Sequence, residues 1–158
     1  MRRTLVVLFA LCLVPGLFAQ AGGGAVQTAT VTLTAAQLQH LKGSPVQLVP
    51  APGAGNIILD ISQQFQYKFG TTRYTVSDGK FSVYLSSSNS AGFYLNAAGF
   101  LDQTSSQVAS GANSGTSPTP QSSAENSPLM IRNVGSDEFA DGDGTVTITV
   151  YYAVVALQ

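Results

Sequence analysis

The chain is poor in the residues that most often build catalytic and metal sites. Among its 158 residues there are one cysteine and one histidine, and there is no tryptophan. Cys12 lies in an apolar leader, so the remainder of the chain can form neither a disulfide nor a thiolate metal site. With one imidazole and no thiol, the usual zinc ligand sets cannot be assembled. Stability must therefore come from packing, and calcium is the one cofactor left to consider.

Charge is scarce as well, since only 9% of the residues are charged. A nucleic-acid-binding protein concentrates lysine and arginine on one face. Beyond the leader, the basic residues of this chain are scattered singly. They are Lys42, Lys68, Arg73, Lys80 and Arg132. We therefore expect no nucleic acid among the partners.

The N-terminal leader has the pattern of a secretory signal peptide. Arg2 and Arg3 precede an apolar run from Leu5 to Phe18, and the run ends at Ala19-Gln20-Ala21. The run is short for a membrane span, and its small residues suit cleavage by signal peptidase. We predict a cleavable signal over residues 1–21 and a mature protein that is secreted, periplasmic or held at the cell surface. We expect no membrane insertion once the signal has been removed.

Residues 22–158 have the usual size of one domain. The stretch from Gln103 to Asn126 is rich in serine, glycine, threonine, asparagine and proline. Such a composition offers little apolar burial to offset the entropy of ordering. We therefore predict an exposed or disordered loop at about 103–126, inside the domain because a strong strand pattern follows it.

Three segments alternate between apolar and polar residues with the period of a half-buried strand. They are Ala29–Leu33, Ile57–Phe69 and Val146–Val154. In the second segment the alternation predicts buried odd-numbered side chains, and only Gln63 interrupts it. Shorter strands are predicted at 46–49, 73–76, 81–85, 92–95 and 129–133, with a tight hairpin turn at Ser77-Asp78-Gly79-Lys80.

One short helix is predicted at Ala35–Leu41, because Thr34 can cap it and Gln37 has the spacing of a capping box. Many short strands, turn residues at regular intervals and a single helix near the mature N-terminus are typical of an all-β fold. We predict an antiparallel β-sandwich or a jelly-roll-like arrangement.

An acidic cluster is the candidate metal site. Asp137, Asp141 and Asp143 stand close together with Gly142 and Gly144 interleaved, and carboxylates at this density can wrap calcium. The alternative is a tight turn before a strand, which has the same composition. His40 lies in the predicted helical turn and no Gly-x-Ser-x-Gly elbow occurs, so we assign no catalytic residue and expect no enzyme.

Two tyrosines are candidate interface residues. Tyr84 and Tyr151 fall on the more polar faces of their predicted strands. In that position a tyrosine either anchors a partner or covers a neighbouring strand. The first alternative favours association with further copies of the chain, with another protein or with a cell-surface glycan.

The two ends of residues 22–158 resemble small β-rich proteins that are encoded beside structural genes in tailed bacteriophages. The resemblance rests on three stretches, Thr30–Gln37, Pro45–Gly55 and Gly142–Tyr152. It implies a β-rich fold and a role as a virion component or an accessory tail or capsid protein, and it supplies no catalytic residue. The leader departs from this pattern, because virion proteins are assembled in the cytoplasm. An exported relative of these proteins fits both observations.

These features favour an exported, non-enzymatic structural or interaction protein, namely a self-associating β-sandwich subunit of an extracellular or phage-like assembly. The low content of charged residues supports this hypothesis, because little charge repulsion opposes contact between copies. The alternative is a carbohydrate or cell-surface binding module, with calcium held by Asp137, Asp141 and Asp143.

Overall fold

A computed structural model describes residues 24–87, 91–113 and 120–158 of the chain. The predicted signal peptide lies outside the described residues. Eight strands and two short helices are present in the described part. The strands are β1 (Gln27–Leu33), β2 (Val46–Val49), β3 (Asn56–Lys68), β4 (Lys80–Leu85), β5 (Ala91–Asn96), β6 (Gln107–Ala112), β7 (Leu129–Asn133) and β8 (Thr145–Ala156). The helices are α1 (Ala35–Gln39) and α2 (Gln121–Ala124).

The strands form two four-stranded sheets, which pack face to face. Sheet A has the order β1-β8-β3-β6 and sheet B has the order β2-β7-β4-β5. Every neighbouring pair is antiparallel. The pairs β1–β8, β2–β7, β3–β6 and β4–β5 are nested in the sequence, which is the arrangement of a jelly roll. The predicted all-β sandwich with jelly-roll character is confirmed.

Aromatic side chains join the two sheets. The ring of Phe65 on β3 lies 5.6 Å, centroid to centroid, from the rings of Phe81 on β4 and Phe93 on β5. Phe100, in the connection after β5, meets the same ring edge-on at 6.4 Å. Such tilted and offset ring pairs add to the energy of burial. This cluster fixes the spacing of the sheets and therefore the positions of their outer faces.

The helix α1 begins where the capping pattern predicts. The Thr34 hydroxyl accepts a hydrogen bond from the Gln37 amide at 3.3 Å, and the Gln37 side-chain oxygen accepts one from the Thr34 amide at 3.0 Å. This reciprocal pair is a complete capping box. The helix ends at Gln39, two residues before the predicted end, because the chain then turns so that Leu41 enters the core.

Strand β3 contains a bulge that corrects one prediction. The pairing with β8 passes from Asp60 to Ser62 while the partner advances by a single residue, from Tyr152 to Tyr151. The extra residue, Ile61, reverses which side chains point inward. Phe65 and Tyr67 are buried as predicted, but Ile58 and Asp60 are buried in place of Leu59 and Ile61.

The segment predicted as one loop, about 103–126, contains ordered structure. Its residues 107–112 form strand β6 at the edge of sheet A, and residues 121–124 form α2. Two of the inward residues of β6, Ala109 and Gly111, are small, and Gly111 lies directly against the ring of Phe93. The apolar surface against which this strand packs thus belongs to the opposite sheet. The strand's own composition therefore does not reveal it.

The predicted hairpin at Ser77–Lys80 is not formed. Strand β4 pairs with β5 and β7, and the predicted strand at 73–76 is reduced to a single bridge between Thr75 and Ala140. The Asp78 carboxylate accepts hydrogen bonds from the amide and the hydroxyl of Ser136. Asp78 and Gly79 therefore connect two loops instead of making a two-residue turn.

Candidate functional site

The acidic cluster is divided among separate partners, and Asp143 shows this most clearly. Its Oδ2 accepts a hydrogen bond from the Thr71 hydroxyl at 2.6 Å, and its Oδ1 accepts from the amides of Thr71 and Thr72 at 2.8 and 2.9 Å. These bonds, that of the Thr71 hydroxyl first, lower the pKa of Asp143 to about 2. The carboxylate thus holds the loop after β3 against the start of β8.

The other two acidic residues point elsewhere. Asp141 accepts a hydrogen bond from the Thr75 hydroxyl at 2.8 Å, and Asp137 accepts one from the Ser136 hydroxyl at 3.1 Å. Within residues 24–87, 91–113 and 120–158, no three carboxylate, histidine or cysteine side chains are grouped as metal ligands. The structure does not bring Asp137, Asp141 and Asp143 together as a calcium site, and their arrangement fits the alternative of a tight turn.

A buried tyrosine explains one glycine of this turn. The Tyr74 ring lies over Gly142, where an added Cβ would stand 2.2 Å from the nearest ring carbon. The Tyr74 hydroxyl donates to the carbonyl of Gly144 at 2.7 Å. The glycine at 142 therefore makes room for Tyr74.

The two candidate interface tyrosines have different environments. Tyr84 is buried on the outer side of sheet B, and the guanidinium carbon of Arg132 lies 4.4 Å from its ring centroid. Of the two alternatives for Tyr84, contact with a partner or cover for a neighbouring strand, this environment fits the second, since its ring covers the sheet and packs against Arg132. Tyr151 lies on the outer face of sheet A with 38% of its surface exposed.

The bulge in β3 places two further apolar side chains beside Tyr151. Leu59 is 53% exposed and Ile61 is 38% exposed. Ser62, next to Ile61, is paired with Tyr151 in the register. We call Leu59, Ile61 and Tyr151 the apolar patch. Sequence alternation assigned Leu59 and Ile61 to the core, and the break at Gln63 was the one sign of the bulge that exposes them.

Between the two exposed residues of β3, Asp60 is buried beside Gln63. The Gln63 side-chain nitrogen donates to Asp60 Oδ2, while Asp60 Oδ1 and the Gln63 side-chain oxygen have no hydrogen-bond partner among the described residues. Burial raises the pKa of Asp60 to about 6, and the bond from Gln63 opposes this shift. The sequence pattern did not single out this pair, because an aspartate in a strand normally faces solvent.

A pocket on the outer face of sheet B was also missed. Its volume is about 510 Å³, and its walls include side chains from β4, β5 and the segments next to β4 and β7. They are Asp78, Lys80, Tyr94, Asn96 and Val134. The residues are separated in the sequence, and only the pairing of β4 with β5 brings them together.

No protein-family model matches the chain, and no curated protein matches it. Among solved structures, the chain is similar to a chain of the Cyanophage Pam1 capsid asymmetric unit, with 18% sequence identity and a TM-score of 0.44. The alignment covers 97% of this chain and 99% of that chain.

The described surface thus offers contact areas on both sheets. Sheet A has the apolar patch, and sheet B has the pocket with Tyr94. His40 is exposed at the end of α1 and makes no side-chain hydrogen bond with any other described residue. None of the helices in the described part is long and apolar enough to cross a bilayer. Chemically, this arrangement is suited to binding.

Proposed function

We propose that the chain is an exported, non-enzymatic structural subunit that associates with copies of itself in an extracellular or phage-like assembly. The observation that carries the proposal is the apolar patch, which lies on the outer face of sheet A. Large apolar side chains grouped on an outer sheet face are typical of protein contact sites. The presence of a tyrosine in this patch also matches the enrichment of aromatic residues in interface cores.

The edges of sheet A support a second copy as the partner. Strands β1 and β6 are the outermost strands of this sheet in the described part of the chain, and their sequences QTATVTL and QVASGA contain neither charge nor proline. Natural proteins usually protect such edges with charges, proline or bulges. An unprotected edge is complementary to itself in antiparallel pairing, so two copies can meet across a twofold axis.

Charge is also compatible with contact between identical faces. The outer side of sheet A presents threonines along β1 and β8, and Thr30–Thr149 and Thr32–Thr147 are joined by hydroxyl hydrogen bonds of 3.3 and 2.9 Å. Hydroxyl groups impose no repulsion between copies. Jelly rolls occur both in viral capsids and in lectins, so the fold alone does not indicate a structural role. The proposal therefore rests on the surface of sheet A.

Sedimentation velocity over a wide range of protein concentration tests self-association. We expect the average mass of the wild-type protein to rise with concentration. The double variant Leu59→Lys/Ile61→Lys places two charges in the apolar patch and should remain monomeric. Tyr94→Ala, an equally exposed site on sheet B, is the matched control and should behave as the wild type.

Two results would contradict the proposal. One is a monomeric wild-type protein at every concentration, and the other is an equal loss of association in the Tyr94→Ala control. Export is tested separately by cell fractionation and N-terminal sequencing, for which we expect a chain that begins at Gly22. A cytoplasmic product that retains residues 1–21 would overturn the export part alone.

A further inference from the structure

The pocket on sheet B has the size and construction of a small-molecule site. Its volume of about 510 Å³ lies in the range of ligand pockets. Lys80 and Asn96 are directly opposite each other in the register of β4 and β5, and Tyr94 follows one pair further along the same face. Two paired strands therefore fix the backbone positions of three of the lining residues.

The polar groups of the pocket have unused hydrogen-bonding capacity. The side chains of Lys80, Tyr94 and Asn96 form no hydrogen bond with other described residues. Asp78 is different, because its Oδ1 accepts from the Ser136 amide at 2.7 Å and from the Ser136 hydroxyl at 2.8 Å. These bonds fix the carboxylate in place and leave Oδ2 available. Donors and acceptors of several kinds thus converge on one space.

The Tyr94 ring supplies the apolar element. It is 57% exposed, which is unusual for a large aromatic side chain in a sheet. The flat face of such a ring can pack against the C–H groups of a ligand. The polar groups beside the ring can bond to the ligand's hydroxyl groups. Val134, which is 37% exposed and follows the end of β7, adds a further apolar contact.

We propose that this pocket binds a saccharide, with a sugar ring stacked on Tyr94 and its hydroxyl groups bonded to Asp78, Lys80 and Asn96. The lining has one acidic residue, Asp78, and one basic residue, Lys80, so its formal charge is zero and it favours neither an anion nor a cation. A neutral ligand with an apolar ring face and many hydroxyl groups satisfies all of these features. Saccharide binding does not depend on self-association, because the apolar patch lies on the other sheet.

Titration calorimetry and NMR with soluble oligosaccharides test this assignment. The probes are oligosaccharides of glucose, galactose, mannose, rhamnose and N-acetylglucosamine, each at millimolar concentration. We expect binding of at least one probe, with shifts of the Tyr94 ring resonances. Tyr94→Ala should weaken that binding about tenfold, and Tyr94→Phe, which keeps the ring, should weaken it about threefold or less.

The matched control is Val26→Ala, which truncates an exposed apolar side chain just before β1, outside both the pocket and the apolar patch, and should leave the affinity unchanged. Because Tyr94 is exposed, its replacement leaves the core intact, and a circular dichroism spectrum can verify this. Absence of binding to all five kinds of probe would overturn the proposal. Binding that persists at full strength in Tyr94→Ala would overturn it as well, since the saccharide would then occupy a different site.

Discussion

At the scale of single residues, Asp60 is the most unusual group in the described chain. It is a carboxyl group buried at a β-bulge, next to a buried glutamine oxygen that also has no partner. Protonation supplies the missing donor, because a neutral carboxyl group can give a hydrogen bond as well as accept one. The raised pKa of about 6 is the thermodynamic expression of this environment.

The first prediction concerns the pH dependence that Asp60 causes. Its folded-state pKa of about 6 exceeds the ordinary value of 3.8, so the folded state binds the proton more tightly than the unfolded state. The stabilisation is complete below pH 3.8 and is lost as the pH rises through 6. Over this pH range the free energy of unfolding should fall by about 3 kcal/mol. Urea unfolding at a series of pH values between 4 and 8 measures it.

Asp60→Asn should remove this dependence, because the amide stays neutral and can still bond to Gln63. Above pH 6 the variant should be more stable than the wild type. The control is Asp137→Asn, an exposed replacement, which should keep the wild-type pH profile. A wild-type stability that is flat from pH 4 to pH 8 would show that Asp60 ionises without cost in the folded state.

Asp143 gives a second prediction, with the opposite sign. Its pKa is lowered to about 2 by hydrogen bonds from Thr71 and Thr72, so its contribution to stability is present above pH 3.8 and is lost as the pH falls through 2. Asp143→Asn should lower the melting temperature at pH 7 and accelerate hydrogen exchange of the Thr71 and Thr72 amides. Asp141→Asn, which loses a single hydroxyl contact, should have a smaller effect. Unchanged exchange in Asp143→Asn would argue against the anchoring role.

At the scale of elements, strand β6 shows where sequence reasoning fails. Seven of the eight strands and the capped helix α1 follow from alternation and capping, because those segments contain their own apolar residues. Strand β6 does not, since Ala109 and Gly111 are small and Phe93 on the opposite sheet fills the space beside them. The information for this strand is therefore distributed over two distant segments.

The same limit applies to the candidate sites. The apolar patch depends on a one-residue bulge, and the pocket depends on which strands are paired. Neither the bulge nor the strand pairing can be predicted from the composition of the local segment. The acidic cluster, by contrast, was prominent in the sequence because a single glycine separates Asp141 from Asp143 along the chain. The side chains nonetheless diverge, since the structure satisfies each carboxylate separately.

Gly111→Ala gives a prediction for strand β6. A Cβ at this position would lie 2.2 Å from Cε2 of Phe93, so either the ring or the strand must move. We expect a loss of about 1–3 kcal/mol in the free energy of unfolding. Adding Phe93→Leu should recover part of the loss, because the smaller side chain removes the overlap, and a double-mutant cycle measures this coupling. Ser110→Ala, exposed on the same strand, is the control and should be nearly neutral.

At the scale of the whole molecule, the two proposed functions use opposite faces of one sandwich. Self-association through sheet A leaves the outer face of sheet B uncovered, so every subunit of an assembly would present its saccharide pocket to solvent. An assembly of this kind binds a repeated ligand at several points at once. Its apparent affinity then exceeds the affinity of a single pocket without any new contact.

This geometry predicts a difference between monovalent and multivalent ligands. The wild-type protein and the monomeric variant Leu59→Lys/Ile61→Lys should bind a free oligosaccharide with equal affinity. On a surface coated densely with the same saccharide, the wild type should dissociate at least about a hundredfold more slowly, because several pockets must release together. Surface plasmon resonance at high and low coating density measures both quantities. If the two proteins dissociate equally from the dense surface, self-association and saccharide binding do not act together in the way that the opposite faces suggest.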